Sequence, residues 1–258
     1  MMKKLLMICT LLMSLCCAKS LADSPALHTQ IVYGQSELAR DLICHRIGNK
    51  NAETSILMVF GVHGYEDAFP RDGEVLQRIA ESLIYHYVHN IPDDVCLYII
   101  PSANPDGLLE GKTKDGFGRC NAKGIDINRD FPIGWTRRTG ARNKTGKAPF
   151  SSAEARALRD LVDSIRPTYG VDVHGWINAS YGTGKLAETL AVPFSFPIKE
   201  PRSGGMLCSW LDSVTQESAM IELPPQPNLG TYVEENSAKL IAGLDLWIEH
   251  FQTAGNSF

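Results

Sequence analysis

The sequence carries no excess of basic charge. Its 25 lysines and arginines stand against 29 aspartates and glutamates, a formal net charge of −4 and a pI near 6.0. With no basic stripe to offset phosphate, nucleic-acid binding is excluded as the main activity. The spacing of the cysteines matches no CxxC zinc site, and they are too few for a disulfide scaffold in a chain this long. A GxSxG nucleophile elbow is absent, which argues against a serine hydrolase. Gly182-Thr183-Gly184-Lys185 is too short for a phosphate-binding loop. No internal repeat and no linker divides the chain. What is present is ordinary globular composition, 44% hydrophobic and 21% charged, with ample material for one buried core.

Residues 1–22 read as a secretory signal peptide. Lys3 and Lys4 form its charged start, residues 5–17 its apolar run, and Ser20-Leu21-Ala22 its small-residue cleavage site. The run is too short to span a hydrocarbon core of about 30 Å, so no stable membrane anchor is expected after cleavage. The mature chain, residues 23–258, is then a single exported domain, periplasmic or secreted. Cleavage removes Cys9, Cys16 and Cys17 and leaves Cys44, Cys96, Cys120 and Cys208. Cys44 and Cys96 both fall in predicted strands and are the first choice for a disulfide. Buried free thiols are the equal alternative.

Along the mature chain, apolar runs alternate with helical spacing. Residues 41–47, 55–62, 95–100, 169–173 and 218–223 read as strands, and the second and third are so continuously apolar that both faces must be buried. Residues 73–89, 150–165 and 233–251 read as helices, the middle one opening on a Ser-Ser cap with Glu154 in its first turn. Strands alternating with helices predict a three-layer α/β/α domain with a mixed, largely parallel central sheet. Residues 107–147 are rich in Gly, Asn, Arg and Lys with little periodicity, a long loop of the kind that carries function.

In such sheets reactive groups collect at the carboxyl ends of strands. His63 and Glu66 lie three residues apart just past one predicted strand, His174 just past another, and Glu222 near the end of a third. A lone HxxE pair is weak evidence for a metal. Two histidines at strand ends beside glycines strengthen it, since two imidazoles and one carboxylate are a common catalytic zinc sphere with one position left open. His28, His45, His86, His89 and His250 lack that placement and read as structural or exposed.

The motifs His63-Gly64-Tyr65-Glu66, residues 101–107 (PSANPDG) and residues 116–132 (GFGRCNAKGIDINRDFP), followed by His174 and Glu222, resemble the zinc metallocarboxypeptidases. The resemblance covers nearly all the mature chain in the same order, and is nearest to the short bacterial branch of murein tripeptide amidases, the γ-D-glutamyl-diaminopimelate peptidases. It implies one Zn2+ held by His63, Glu66 and His174, with Glu222 as general base and Arg119 polarising the scissile carbonyl. It further implies that Asn128 and Arg129 clamp the substrate's free carboxylate, and that Asp126 orients a zinc-binding histidine. The implied partner is a peptide, murein-derived in the leading reading. A general carboxypeptidase and a catalytically inactive peptide binder are the alternatives, and the latter is disfavoured because no implied ligand and no base is lost.

Two departures bear on specificity. Digestive carboxypeptidases carry a substrate-contacting tyrosine some twenty residues before the catalytic glutamate, whereas residues 197–205 here contain none and Tyr181 lies further upstream. In the stretch that resembles the specificity pocket, Cys208 falls close to the selectivity position. Arg137, Arg138 and Arg142 form a basic run, bland as exposed charge, from which one is the candidate to meet a second carboxylate of diaminopimelate.

Overall fold

The computed structural model describes residues 27–66, 69, 71–225 and 229–255, so the expected signal peptide lies outside the described residues. An eight-stranded sheet forms the middle layer. Its strands are β1 (His28–Gln35), β2 (Asp41–Ile47), β3 (Thr54–Phe60), β4 (Val95–Ile100), β6 (Tyr169–Gly175), β7 (Ala179–Tyr181), β8 (Ile198–Lys199) and β9 (Glu217–Leu223), while β5 (Thr113–Cys120) stands apart. The order is β1-β2-β4-β3-β6-β9-β7-β8. The four central strands β4, β3, β6 and β9 run parallel, and antiparallel pairs join them to both flanks. The expected mixed sheet with a parallel middle is observed.

Successive residues of a strand face opposite sides. Ile56, Met58 and Phe60 of β3 therefore enter one core layer and Leu57 and Val59 the other, all fully buried. The first layer lies under α1 (Asp72–Asn90), α4 (Lys185–Ala191) and α6 (Leu229–Gly255). The second lies under α3 (Ala153–Ile165) and α5 (Leu207–Val214). Burial on both faces is why these strands read as continuous apolar runs. The α3 helix starts where its cap dictates, the Ser152 hydroxyl accepting a hydrogen bond from Ala155 N at 3.2 Å. Among the described residues no helix is long and apolar enough to cross a membrane.

The expected long loop is partly ordered into structure. It holds a short helix α2 (Pro105–Glu110), then β5, then two single 3-10 turns at Ile127–Arg129 and Ala141–Asn143. The four described cysteines are buried free thiols. The ladder of β2 on β4 sets His45 opposite Ile99 and Ile47 opposite Leu97, which leaves Cys44 and Cys96 toward opposite ends and unbridged. The disulfide alternative is thereby replaced by the thiol alternative.

Candidate active site

The parallel register sets the site. His174 and Glu222 are direct partners on the neighbouring strands β6 and β9, and Phe60 at the end of β3 lies opposite Val173. The chain leaving β3 then turns through His63 and Glu66 beside them. That turn depends on Gly64, whose Cβ, were there one, would lie 2.3 Å from Gly107 C and 2.4 Å from Gly118 O, both backbone. Tyr65 N donates to Gly118 O at 3.2 Å, so the turn is tied to β5, the strand that carries Arg119.

His63, Glu66 and His174 meet. Their ligand atoms all lie within 4.8 Å of one another. Nδ1 of His63 is 3.1 Å from Glu66 Oε2 and Nδ1 of His174 is 2.7 Å from Glu66 Oε1, so both Nδ1 atoms and the carboxylate face a common point. Each imidazole has an acid close to its other nitrogen: His63 Nε2 is hydrogen-bonded to Asp126 Oδ1 at 2.9 Å, and His174 Nε2 is 2.8 Å from Asp172 Oδ1 and 3.2 Å from Asn128 Nδ2. Backing of this kind fixes ring orientation and leaves Nδ1 free to ligate. The electrostatics agree. Burial alone would raise the Glu66 carboxyl, but the two imidazoles hold it well below the usual range. Against the same burial penalty, His63, Arg119 and Arg129 bring Asp126 down to about 2. Two nitrogens and a carboxylate converging in a buried pocket are a donor set suited to zinc.

Glu66 is itself held. Its N–H donates to Asp72 Oδ1 at 2.9 Å, and Asp72 Oδ2 accepts from Trp176 Nε1 at 2.8 Å. Asp126 has two duties, since Oδ1 also accepts from Asn128 N at 3.0 Å and so caps the 3-10 turn that presents Asn128 and Arg129. Arg119 Nη1 lies 3.4 Å from Glu66 Oε2 and Nε 3.9 Å from Asp126 Oδ2. Burial pushes the Arg129 guanidinium below its usual value, with Asp126 opposing the shift. Asn128 Oδ1 accepts from Leu207 N at 2.9 Å, which fixes its amide.

Glu222 is 6% exposed, and its Oε2 has no hydrogen-bond partner. Burial pushes its carboxyl up to about 7, with His174 pulling downward and Glu66 pushing up further. A carboxylate poised near neutrality is suited to take and return a proton. His63, Glu66, Arg119, Asn128, Arg129, His174 and Glu222 line one cleft of about 300 Å3, together with Arg142, Trp176, Arg202 and Met206. A cavity of about 400 Å3 on another part of the surface, beside His45, Gln77 and Leu109, lacks such a donor set.

Three expected specificity residues lie elsewhere. Cys208 is buried in a small cluster with Tyr181 and Met220 beneath the cleft, and Met206 lines the cleft instead. Arg137 is exposed outside the lining. Arg138 is half-buried and lies against Gly204, also outside it. Arg142 alone of the basic run reaches the cleft, and it sits 3.7 Å from Asp115. Asp172, Asp72, Trp176 and Arg202 had not stood out in the sequence. A charged residue inside a strand buried on both faces, two places before a histidine, is a readable sign of Asp172.

The family model described as zinc carboxypeptidase matches residues 16–192. The chain belongs to the zinc carboxypeptidase family. The match runs past His174 and stops before Glu222, which the β6–β9 register supplies. The chain is 38% identical over 206 residues to bacteriocin BCN5 of Clostridium perfringens, covering 76% of the chain but only 23% of the bacteriocin. It is 26% identical over 212 residues to murein peptide amidase A of Escherichia coli K12, covering 75% of the chain and 80% of that protein. The solved carboxypeptidase A of Helicoverpa armigera superposes with a TM-score of 0.70 at 17% identity, over 85% of this chain and 67% of that one, a likeness of fold.

Proposed function

We propose that this zinc carboxypeptidase is an exported enzyme that hydrolyses the amide next to a C-terminal residue, the γ-D-glutamyl–diaminopimelate bond of murein peptides in particular. The observation that carries the reading is a general-base carboxylate, a three-donor metal set and the Arg129 guanidinium in one cleft. His63, Glu66 and His174 would hold one zinc ion per chain. Zinc so bound makes water acidic near neutral pH and polarises a carbonyl. Glu222 takes the proton of the attacking water and returns it to the leaving amine, a transfer suited to a carboxyl near 7. Arg119 donates to the carbonyl oxygen as negative charge grows there. Arg129 receives the terminal carboxylate, with Asn128 beside it.

The murein assignment is supported by the similarity to murein peptide amidase A along most of that protein's length. Export agrees with the signal-like composition of residues 1–22 and with where such peptides lie. The test is to incubate the zinc-loaded protein with a murein tripeptide and with an ordinary blocked dipeptide, with and without chelator. Chelator-sensitive release of diaminopimelate, well ahead of release from the dipeptide, is expected. Equal cleavage of both would make the enzyme a general carboxypeptidase.

A further inference from the structure

Four guanidiniums line the cleft: Arg119, Arg129, Arg142 and Arg202. Arg119 lies beside Glu66 and Asp126, and Arg142 beside Asp115. Among the described residues no carboxylate comes within ion-pair distance of Arg129 or Arg202. In the proposed function Arg129 takes the terminal carboxylate of the substrate. That leaves Arg202, an exposed residue on the cleft lining, with no ion-pair partner among the described residues, its charge reaching the Glu222 carboxyl only from a distance.

Arg202 is fixed by several contacts. Its guanidinium lies over the Tyr181 ring, 4.4 Å from the centroid, and Nη2 is 2.5 Å from the Tyr181 hydroxyl oxygen. Tyr181 is 4% exposed and pairs with Met220 in the β7–β9 ladder, two places from Glu222. The Arg202 carbonyl accepts from the Ser209 hydroxyl in α5. Stacking and hydrogen bonding to a buried aromatic hold a guanidinium in one orientation, which lowers the cost of ordering it on a ligand.

Its side of the cleft is also fixed. Phe131 N donates to Gly205 O at 3.0 Å and Gly205 N to Ile133 O at 2.8 Å, which stitches residues 202–206 to the segment following Arg129. Gly205 sits at φ +81° with Arg129 O 2.6 Å from where a Cβ would be, an approach only glycine permits. Arg202 and Arg129 thus ride on two segments bonded to each other.

We propose that Arg202, held on Tyr181, binds a second carboxylate of the released residue, so that the preferred leaving residue is a dicarboxylic amino acid. The proposal rests on carboxypeptidase-type action at this cleft and names the substrate feature that the cleft selects. Diaminopimelate and glutamate both carry the required group.

The test uses the zinc-loaded full chain and three blocked peptides that differ only in the last residue: diaminopimelate, glutamate or glutamine. A charge-assisted hydrogen bond to carboxylate predicts kcat/KM at least about tenfold above glutamine for one or both dicarboxylic residues. Arg202→Gln should remove that preference, the dicarboxylic peptides falling to the rate of the glutamine peptide in the same variant, and Arg202→Lys should keep part of it. No preference in the wild type overturns the proposal, as does Arg202→Gln slowing all three peptides alike. Calorimetry on the wild-type protein gives an answer that needs no variant: glutamate should bind about tenfold more tightly than glutamine, and equal binding overturns the site. A protein that cleaves none of the peptides yet favours glutamate in binding refutes the peptidase reading and keeps the Arg202 site.

Discussion

Glu222 in the cleft and Asp172 behind His174 are buried acids suited to two kinds of work. Glu222 has a free oxygen and a carboxyl raised by burial, so it can move a proton. Glu222→Gln should leave zinc content at about one per chain while turnover falls at least about a hundredfold, because the base is lost and the three ligands are kept. Metal analysis beside a turnover assay checks both halves. The same carboxyl sets a pH dependence. A base acts when deprotonated, so kcat/KM should fall as pH drops through the range where Glu222 takes up its proton. That acid limb lies at or below about 7, since a cation beside His174 adds to the downward pull. Asp172 instead works through His174, 2.8 Å away. Asp172→Asn should weaken zinc affinity by about 10- to 100-fold, read by competition with a chromophoric chelator, with the apo protein still folded by circular dichroism.

At the scale of elements, the site is a matter of how strands and turns are stitched. Gly64 admits the backbone of α2 and β5 at van der Waals limits, and the clash at Gly64→Ala is with main chain that cannot swing away. That variant should lose about 1–3 kcal/mol of stability and bind zinc less well, measurable by thermal melting and by metal titration. The central strands were legible in the sequence because burial on both faces wrote them as apolar runs, and His63, His174 and Glu222 could be placed from those runs. The flanking pieces were not. In β1, exposed and half-buried residues alternate, β7 and β8 have three and two residues, and β5 carries Gly116 and Gly118 in place of an apolar period. Their conformation is set by partners distant in sequence, such as Tyr65 N on Gly118 O, and no local pattern records such partners. Arg202 was hidden for a related reason: its meaning lies in Tyr181, 21 positions away.

For the whole molecule, a mixed sheet with a parallel middle, set between two helical layers, gathers the candidate site at the ends of its central strands. The four described cysteines belong to the buried part. Burial pushes the Cys44, Cys120 and Cys208 thiols up to about 12 and raises Cys96 as well. Native protein should therefore react slowly with a thiol reagent and all four thiols should label on unfolding, which intact mass spectrometry would read. The loops at the open end gather residues from β3, β5, β6, β9 and the 3-10 turn around one point, and the function proposed here depends on that point holding a metal. The most direct measurement is to strip the purified protein of metal, assay it on a peptide with a free C-terminus, and titrate zinc back. Activity should vanish on stripping and return in full at one zinc per chain, and His174→Ala should abolish the return. Stripped protein that keeps its full activity, or a His174→Ala variant that recovers as the wild type does, would contradict a metal centre at His63, Glu66 and His174.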